Sequence, residues 1–156
     1  QKYGIDVVIP RISRTFGPTM LLSDSKASSQ FIMNAVHKEN IVLKSAGTQL
    51  YSYAYVADIA SALLFLLVKG QTGEAYNVSN EHCDITLRTF AETLANVAGT
   101  KVIHGEATAQ EKQGFSKATK ALLDNQKIYA LGWRPLFDSM EEPLKHTIKI
   151  LEGSGN

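Results

Sequence analysis

The side chains able to do chemistry are few, and their spacing excludes most of it. The four histidines, at 37, 82, 104 and 146, make no H-E-x-x-H and place no two on one helix face, so no metal site is expected. No G-x-S-x-G elbow exposes a serine nucleophile. Glu141 and Glu142 are adjacent carboxylates that suit a helix terminus better than an acid/base pair. The single cysteine, Cys83, allows no intrachain disulfide, which is compatible with a cytoplasmic protein. The densest run of polar and aromatic groups lies from Ala46 to Val68, where tyrosines stand at 51, 53 and 55 and an acid follows at 58.

Those groups need a strand, a corner and a helix to hold them. Gly47 marks a turn, the period-two tyrosines predict a strand, and Asp58 falls in the first turn of a helix, where an acid meets the positive end of the macrodipole. Ile59, Leu63, Leu64, Leu66 and Leu67 predict that this helix is buried. Upstream, the near-continuous apolar run Ile5 to Ile9, continuing to Arg11, reads as a strand covered on both faces in a parallel sheet and ending at the Gly17-Pro18 loop.

A helix capped by Asp24 or Ser25 carries Ala27, Phe31, Ile32, Ala35 and Val36 on one face and ends near Asn40. Ile41 to Leu43 is a short strand, and Glu74 to Val78 another. Thr86 caps a helix with Leu87, Phe90, Ala91, Leu94 and Val97 inward and Gly99 at its end. Lys101 to His104 reads as a strand, and residues 105–118 as a polar surface loop. A short helix stops at Gly132, and Ser139-x-x-Glu142 predicts a capping box for a last helix with Leu144, Thr147, Ile148 and Leu151 inward.

At 156 residues, 44% hydrophobic and 20% charged, the chain has the composition of one globular domain. A net charge of +1 without basic clusters gives no reason to expect nucleic acid or an anionic membrane as partner. The longest apolar run, Ile59 to Val68, is about half of the ~20 residues a membrane span needs. No repeat or low-complexity tract is present.

Four segments carry a resemblance. AGTQLYSYAYVADIASALLFLLV resembles the G-x-Q-x-R-S-F-x-Y-V-x-D segment of NAD-dependent nucleotide-sugar epimerases and dehydratases, the extended short-chain dehydrogenase/reductase family that includes dTDP-glucose 4,6-dehydratase-like enzymes. Gly47, Gln49, Ser52, Tyr55, Val56 and Asp58 match, and Tyr51 stands where the family has arginine. IDVVIPRISRTFGP is similar to R-x-x-N-x-Y-G-P, with Arg11, Phe16, Gly17 and Pro18 in register and Arg14 in place of asparagine. Taken alone, this segment reads equally well as any buried strand ending at a Gly-Pro turn. Asp124-x-x-Lys127 followed by Leu131-Gly132-Trp133-x-Pro135 resembles the family's tail signature, and Gly73 to Asn80 its G-x-x-Y-N segment.

The resemblance implies an α/β fold corresponding to the C-terminal, substrate-binding part of an extended short-chain dehydrogenase. Residues 1–156 are then a single substrate-binding portion. Two strands, about 5–11 and 75–78, belong to a Rossmann sheet whose other strands lie outside the chain. Neither the G-x-x-G-x-x-G fingerprint nor a Tyr-x-x-x-Lys pair occurs, so no catalytic residue is assigned and the isolated chain is expected to be inactive and to hold no NAD. NAD or NADP belongs to the longer protein, with Ile12, Ser13 and Thr15 implied as cofactor contacts. The implied substrate is a nucleotide-diphosphosugar, met by Arg14, Ala27, Ser28, Leu43, Lys44, Gln49 and Tyr51. For Tyr53 plain sheet packing is the preferred role. Arg14, Lys112, Lys117 or Lys120 are the cations available to replace the missing arginine's charge. The implied function is synthesis of surface-polysaccharide sugars in the cytoplasm by a homo-oligomer, with a divergent, non-catalytic nucleotide-sugar-binding relative as the alternative.

Overall fold

Capping chemistry and apolar spacing set most of the elements in the computed structural model, which describes residues 4–154. In chain order these are β1 (Ile9–Ile12), β2 (Arg14–Phe16), α1 (Ala27–Val36), β3 (Ile41–Leu43), β4 (Leu50–Tyr55), α2 (Val56–Lys69) and β5 (Ala75–Val78). Then follow β6 (Asn80–Thr86), α3 (Leu87–Ala98), β7 (Val102–His104), α4 (Ala109–Gln113), β8 (Lys120–Ala121), α5 (Gln126–Ala130) and α6 (Glu141–Gly153).

The central strand is β4. On one edge it pairs antiparallel with β6; on the other, β2 runs parallel to its C-terminal half and β8 parallel to its start. Its residues from Tyr51 to Tyr55 are all buried, so both faces are covered and the alternating tyrosines do not mark a solvent face. Phe90 of α3 packs against this sheet, its ring 5.0 Å from Tyr53 and 5.9 Å from Phe16. With α1, α3 and α6 it closes a core that includes Ile32, Leu43, Leu94 and Leu144. α3 forms where the sequence predicts: the Thr86 hydroxyl accepts from the Thr89 N–H at 3.0 Å, and Gly99 turns left-handed at φ 71°. β3 and β7 form a small parallel pair beside it.

A second, smaller core lies between α2 and the parallel pair β1–β5, in which Ile9 faces Ala75 and Ile12 faces Val78. Tyr76, Val78, Ile59, Leu66, Ile128 and Trp133 fill it. The Trp133 N–H donates to Ser61 Oγ at 3.1 Å, and a buried Asn125–Ser79 network ties α5 to the end of β5. Gly17 sits against the start of α2 so closely that an added Cβ would lie 2.4 Å from a Val56 methyl carbon, which is why the loop after β2 carries glycine there.

Several expectations are corrected. The strand placed at 5–11 begins at Ile9, although Val7 already accepts a backbone bond from Gly73. α2 is not buried all round: Leu64, Leu67 and Val68 are 66%, 81% and 77% exposed, and of its apolar residues Ile59, Ala62 and Leu66 are buried, with Val56 and Phe65 partly buried against the cores. Asp24 accepts from the Lys26 N–H and from Ser29 Oγ, so it orders the approach to α1, while the N-cap position itself is Lys26. α1 stops at Val36, because Lys38 adopts φ 58°. Ser139 makes no capping box; α6 starts from Met140, with Pro143 tolerated in its first turn.

Candidate functional site

Three segments distant in sequence meet on one side of β4. β2 lies beside it with Arg14 opposite Tyr53, so the Arg14 side chain reaches diagonally onto the next same-face residue, Tyr51. Its guanidinium carbon stands 3.7 Å from the centre of the Tyr51 ring. The ring is fixed from behind, being 4% exposed and donating its hydroxyl to the Ala118 carbonyl at 3.0 Å. The start of α1 faces the same space with Lys26, Ala27 and Ser28, where first-turn N–H groups have no intrahelical acceptor. The end of β3 adds Leu43 and Lys44.

The resulting cavity has a volume of about 510 Å³. Arg14, Ala27, Ser28, Leu43, Lys44, Gln49 and Tyr51 all line it. Ile12, Ser13 and Thr15 do not; they stand where β1 passes into β2, with the Ser13 N–H bonded to the Val78 carbonyl and Thr15 Oγ1 to the Ser13 carbonyl. Of the cations considered as replacements for the missing arginine, only Arg14 lines the cavity; Lys112, Lys117 and Lys120 do not.

The far wall comes from the stretch expected to be loop. α4 stands there, opened by a capping box between Thr108 and Glu111, and Glu111 and Phe115 face the cavity. The signal was in the sequence as Thr108-x-x-Glu111, a capping-box spacing in a segment otherwise too polar to read as helix. Lys44 Nζ lies 2.5 Å from Glu111 Oε1, and this contact, with the Thr108 hydrogen bonds, holds the Glu111 carboxyl down at about 2.

Acid/base chemistry is not built into these walls. Burial pushes the Tyr53 phenol up to about 12, so it stays protonated at neutral pH. Asp58 is fully buried and away from the cavity; its Oδ1 accepts from the Leu136 N–H at 2.8 Å, and burial raises its pKa. It fastens α2 to the segment after Trp133. Cys83, buried in the main core, has its thiol pushed up to about 12 by burial and is unreactive there. The walls therefore offer one stacked guanidinium, free helix N–H groups, an ion pair and apolar surface, a set suited to holding a polar, anionic ligand with an aromatic part.

The same architecture recurs in known proteins. Residues 1–79 match the model of the NAD dependent epimerase/dehydratase family. The chain is 30% identical over 141 residues to UDP-glucuronic acid decarboxylase 6 of Arabidopsis thaliana, covering 86% of this chain and 38% of that protein. It is 26% identical over 154 residues to dTDP-D-glucose 4,6-dehydratase of Mus musculus, covering 96% of this chain and 42% of the relative. The fold of UDP-glucose 4-epimerase from Thermotoga maritima, solved with UDP-glucose, superposes with a TM-score of 0.82 at 22% identity, over 99% of this chain and 48% of that one. This chain belongs to the NAD-dependent epimerase/dehydratase family. It spans less than half the length of these relatives.

Proposed function

We propose that this chain is the nucleotide-diphosphosugar-binding part of an NAD-dependent epimerase or 4,6-dehydratase that makes sugars for surface polysaccharides. The observation that carries the reading is the convergence of the seven residues from Arg14 to Tyr51 on one cavity. The start of α1 meets the diphosphate and sugar through Ala27 and Ser28, Gln49 accepts from a ligand hydroxyl, and Leu43 and Lys44 flank the base. Gln49 suits that role because its Oε1 is buried without a hydrogen-bond partner. Relatives named for UDP- and dTDP-linked sugars support the ligand class.

NAD fits the residues present along one edge only. Ser13 Oγ is buried and unpartnered, an open position for a cofactor contact beside Ile12 and Thr15. No glycine fingerprint in this sequence would cradle a pyrophosphate. Bound NAD supplies hydride acceptance and return at the sugar; the task of these residues is to hold and orient the sugar.

The tyrosine at 51 favours one other reading, a divergent relative that binds nucleotide sugars without turning them over. Thermal-shift titration of the intact protein with UDP-, dTDP- and CDP-sugars tests the proposal. One nucleotide series is expected to raise the melting temperature in a saturable way, and C4 oxidation of that sugar with bound NAD then separates the enzyme from the binder. No shift with any series would refute both.

A further inference from the structure

Three cations line the cavity: Arg14, Lys26 and Lys44. Lys26 is spent on Asp24, 3.1 Å away, and Lys44 on Glu111, which is the one carboxylate in the lining. Arg14 makes no ion pair among the described residues. Its face lies on Tyr51, and a guanidinium stacked by its face keeps its N–H donors free at the edge, in the plane that suits two oxygens of a phosphate. Tyr51 cannot compete for the ligand as a donor, since its hydroxyl proton is given to Ala118. It is a platform.

We propose that Arg14, held flat on Tyr51, is the group that takes the diphosphate of the ligand, so that the guanidinium is delivered from β2 and the aromatic support from β4. The two departures from the family pattern, arginine gained at 14 and lost at 51, touch each other and compensate: one removes a fork from β4 and the other lays a fork over the same spot. This rests on the nucleotide-sugar reading of the cavity. It also answers the reading that Tyr51 abolishes diphosphate recognition, because the charge is restored within the same pair of strands. Glu111 does not oppose the anion, as Lys44 neutralises it and ties it to the opposite wall.

Isothermal titration of the intact protein tests this with four probes: the nucleotide sugar found by thermal shift, its nucleoside monophosphate, its nucleoside and inorganic pyrophosphate. Arg14 is exposed and supports no other side chain through a hydrogen bond, so its substitution leaves the fold standing. Arg14→Ala is expected to weaken the nucleotide sugar and pyrophosphate about tenfold or more, the loss of charged hydrogen bonds, while the nucleoside is unaffected. Arg14→Lys keeps the charge but not the flat fork and is expected to recover only part.

An Arg14→Ala protein that binds the nucleotide sugar as wild type does would overturn the proposal and leave the nucleotide-sugar reading standing. A lysine variant as tight as wild type would overturn the stacked-fork geometry. Pyrophosphate binding lost with Arg14, in a protein that ignores every nucleotide, would keep the anion site and sink the nucleotide-sugar reading. Binding of none of the probes by wild type would overturn both.

Discussion

The sheet around β4 and the pair β1–β5 are both strand assemblies with helices against them, yet only the first is finished. Around β4, Tyr53, Phe90, Leu94 and Leu144 are each 2% exposed or less, and strands or helices lie on every side. Beside β1, Ile5, Val7, Ile9 and Ile12 are 45–66% exposed, and α2 presents Leu64, Leu67 and Val68 to solvent. β1 pairs only with β5 among the described strands, which leaves one edge open. The cavity is built wholly on the finished region, so its geometry does not wait for whatever covers the other. The unfinished region has the features of a pairing surface: several exposed apolar side chains beside a strand edge that is free among the described strands.

The largest effect that would sharpen this contrast is Phe90→Ala, which empties the junction of three rings in the finished core. It is expected to cost about 3–5 kcal/mol in denaturant unfolding. A loss below about 1 kcal/mol would mean that this core is as loosely held as the other.

Next comes Asn125→Ala. It strands the Ser79 hydroxyl and N–H, both buried, and is expected to cost about 1–3 kcal/mol while loosening α5 from β5. Hydrogen exchange that accelerates in 75–79 and 126–133 but not in β4 would show that the two cores unfold as separate units. Uniform acceleration would break the distinction.

Leu67→Glu should be nearly silent in the stability of this chain alone, within about 0.5 kcal/mol, and the variant is expected to scatter light as a smaller species than the wild-type chain at high concentration. In the longer protein proposed above, where that reading has the face covered, the same change is expected to destabilise. Equal silence in both would remove the idea that α2 is an interface helix.

Smallest is a pH effect at the cavity wall. The Glu111 carboxyl is depressed from 4.5 to about 2, so the folded state binds its proton less readily than the unfolded chain does. The tie to Lys44 is therefore complete above about pH 4.5 and fades as pH falls toward 2. Amide exchange in 109–113 should rise across that window and flatten in Glu111→Gln.

Most of the finished region was legible because its signals are local. Thr86 and Gly99 bracket α3 and Gly47 turns into β4; in the second core the equally local Leu131-Gly132-Trp133 ends α5. β6 was missed because Glu81, His82 and Asp84 interrupt any alternation, and because its pairing slips between Ser52 and Tyr53 of β4, a bulge that no sequence pattern announces. The exposed leucines of α2 were misread for the opposite reason. Their apolar spacing is the same whether the covering partner is inside the chain or outside it, so the pattern predicts that a face is covered without saying by what.

The cavity was legible only through resemblance. Its residues come from β2, α1, β3 and β4, and no single segment's periodicity connects them. Where resemblance failed, at 14 and 51, each residue taken alone looks like a loss of function. Only the register of β2 against β4 shows that the two substitutions are one arrangement.

The tie between Lys44 and Glu111 also bears on time. Both partners are more than a third exposed, so solvent screens the pair and it holds α4 weakly. For a five-residue helix on so slight a tether, the expected motions are those of surface loops, on the order of nanoseconds to microseconds. Turnover in enzymes has a median near ~10 per second, slower by orders of magnitude. On the nucleotide-sugar reading, a wall that moves on that scale would rearrange many times within one turnover, so residence in the cavity is expected to depend on what grips the ligand and not on the wait for an opening.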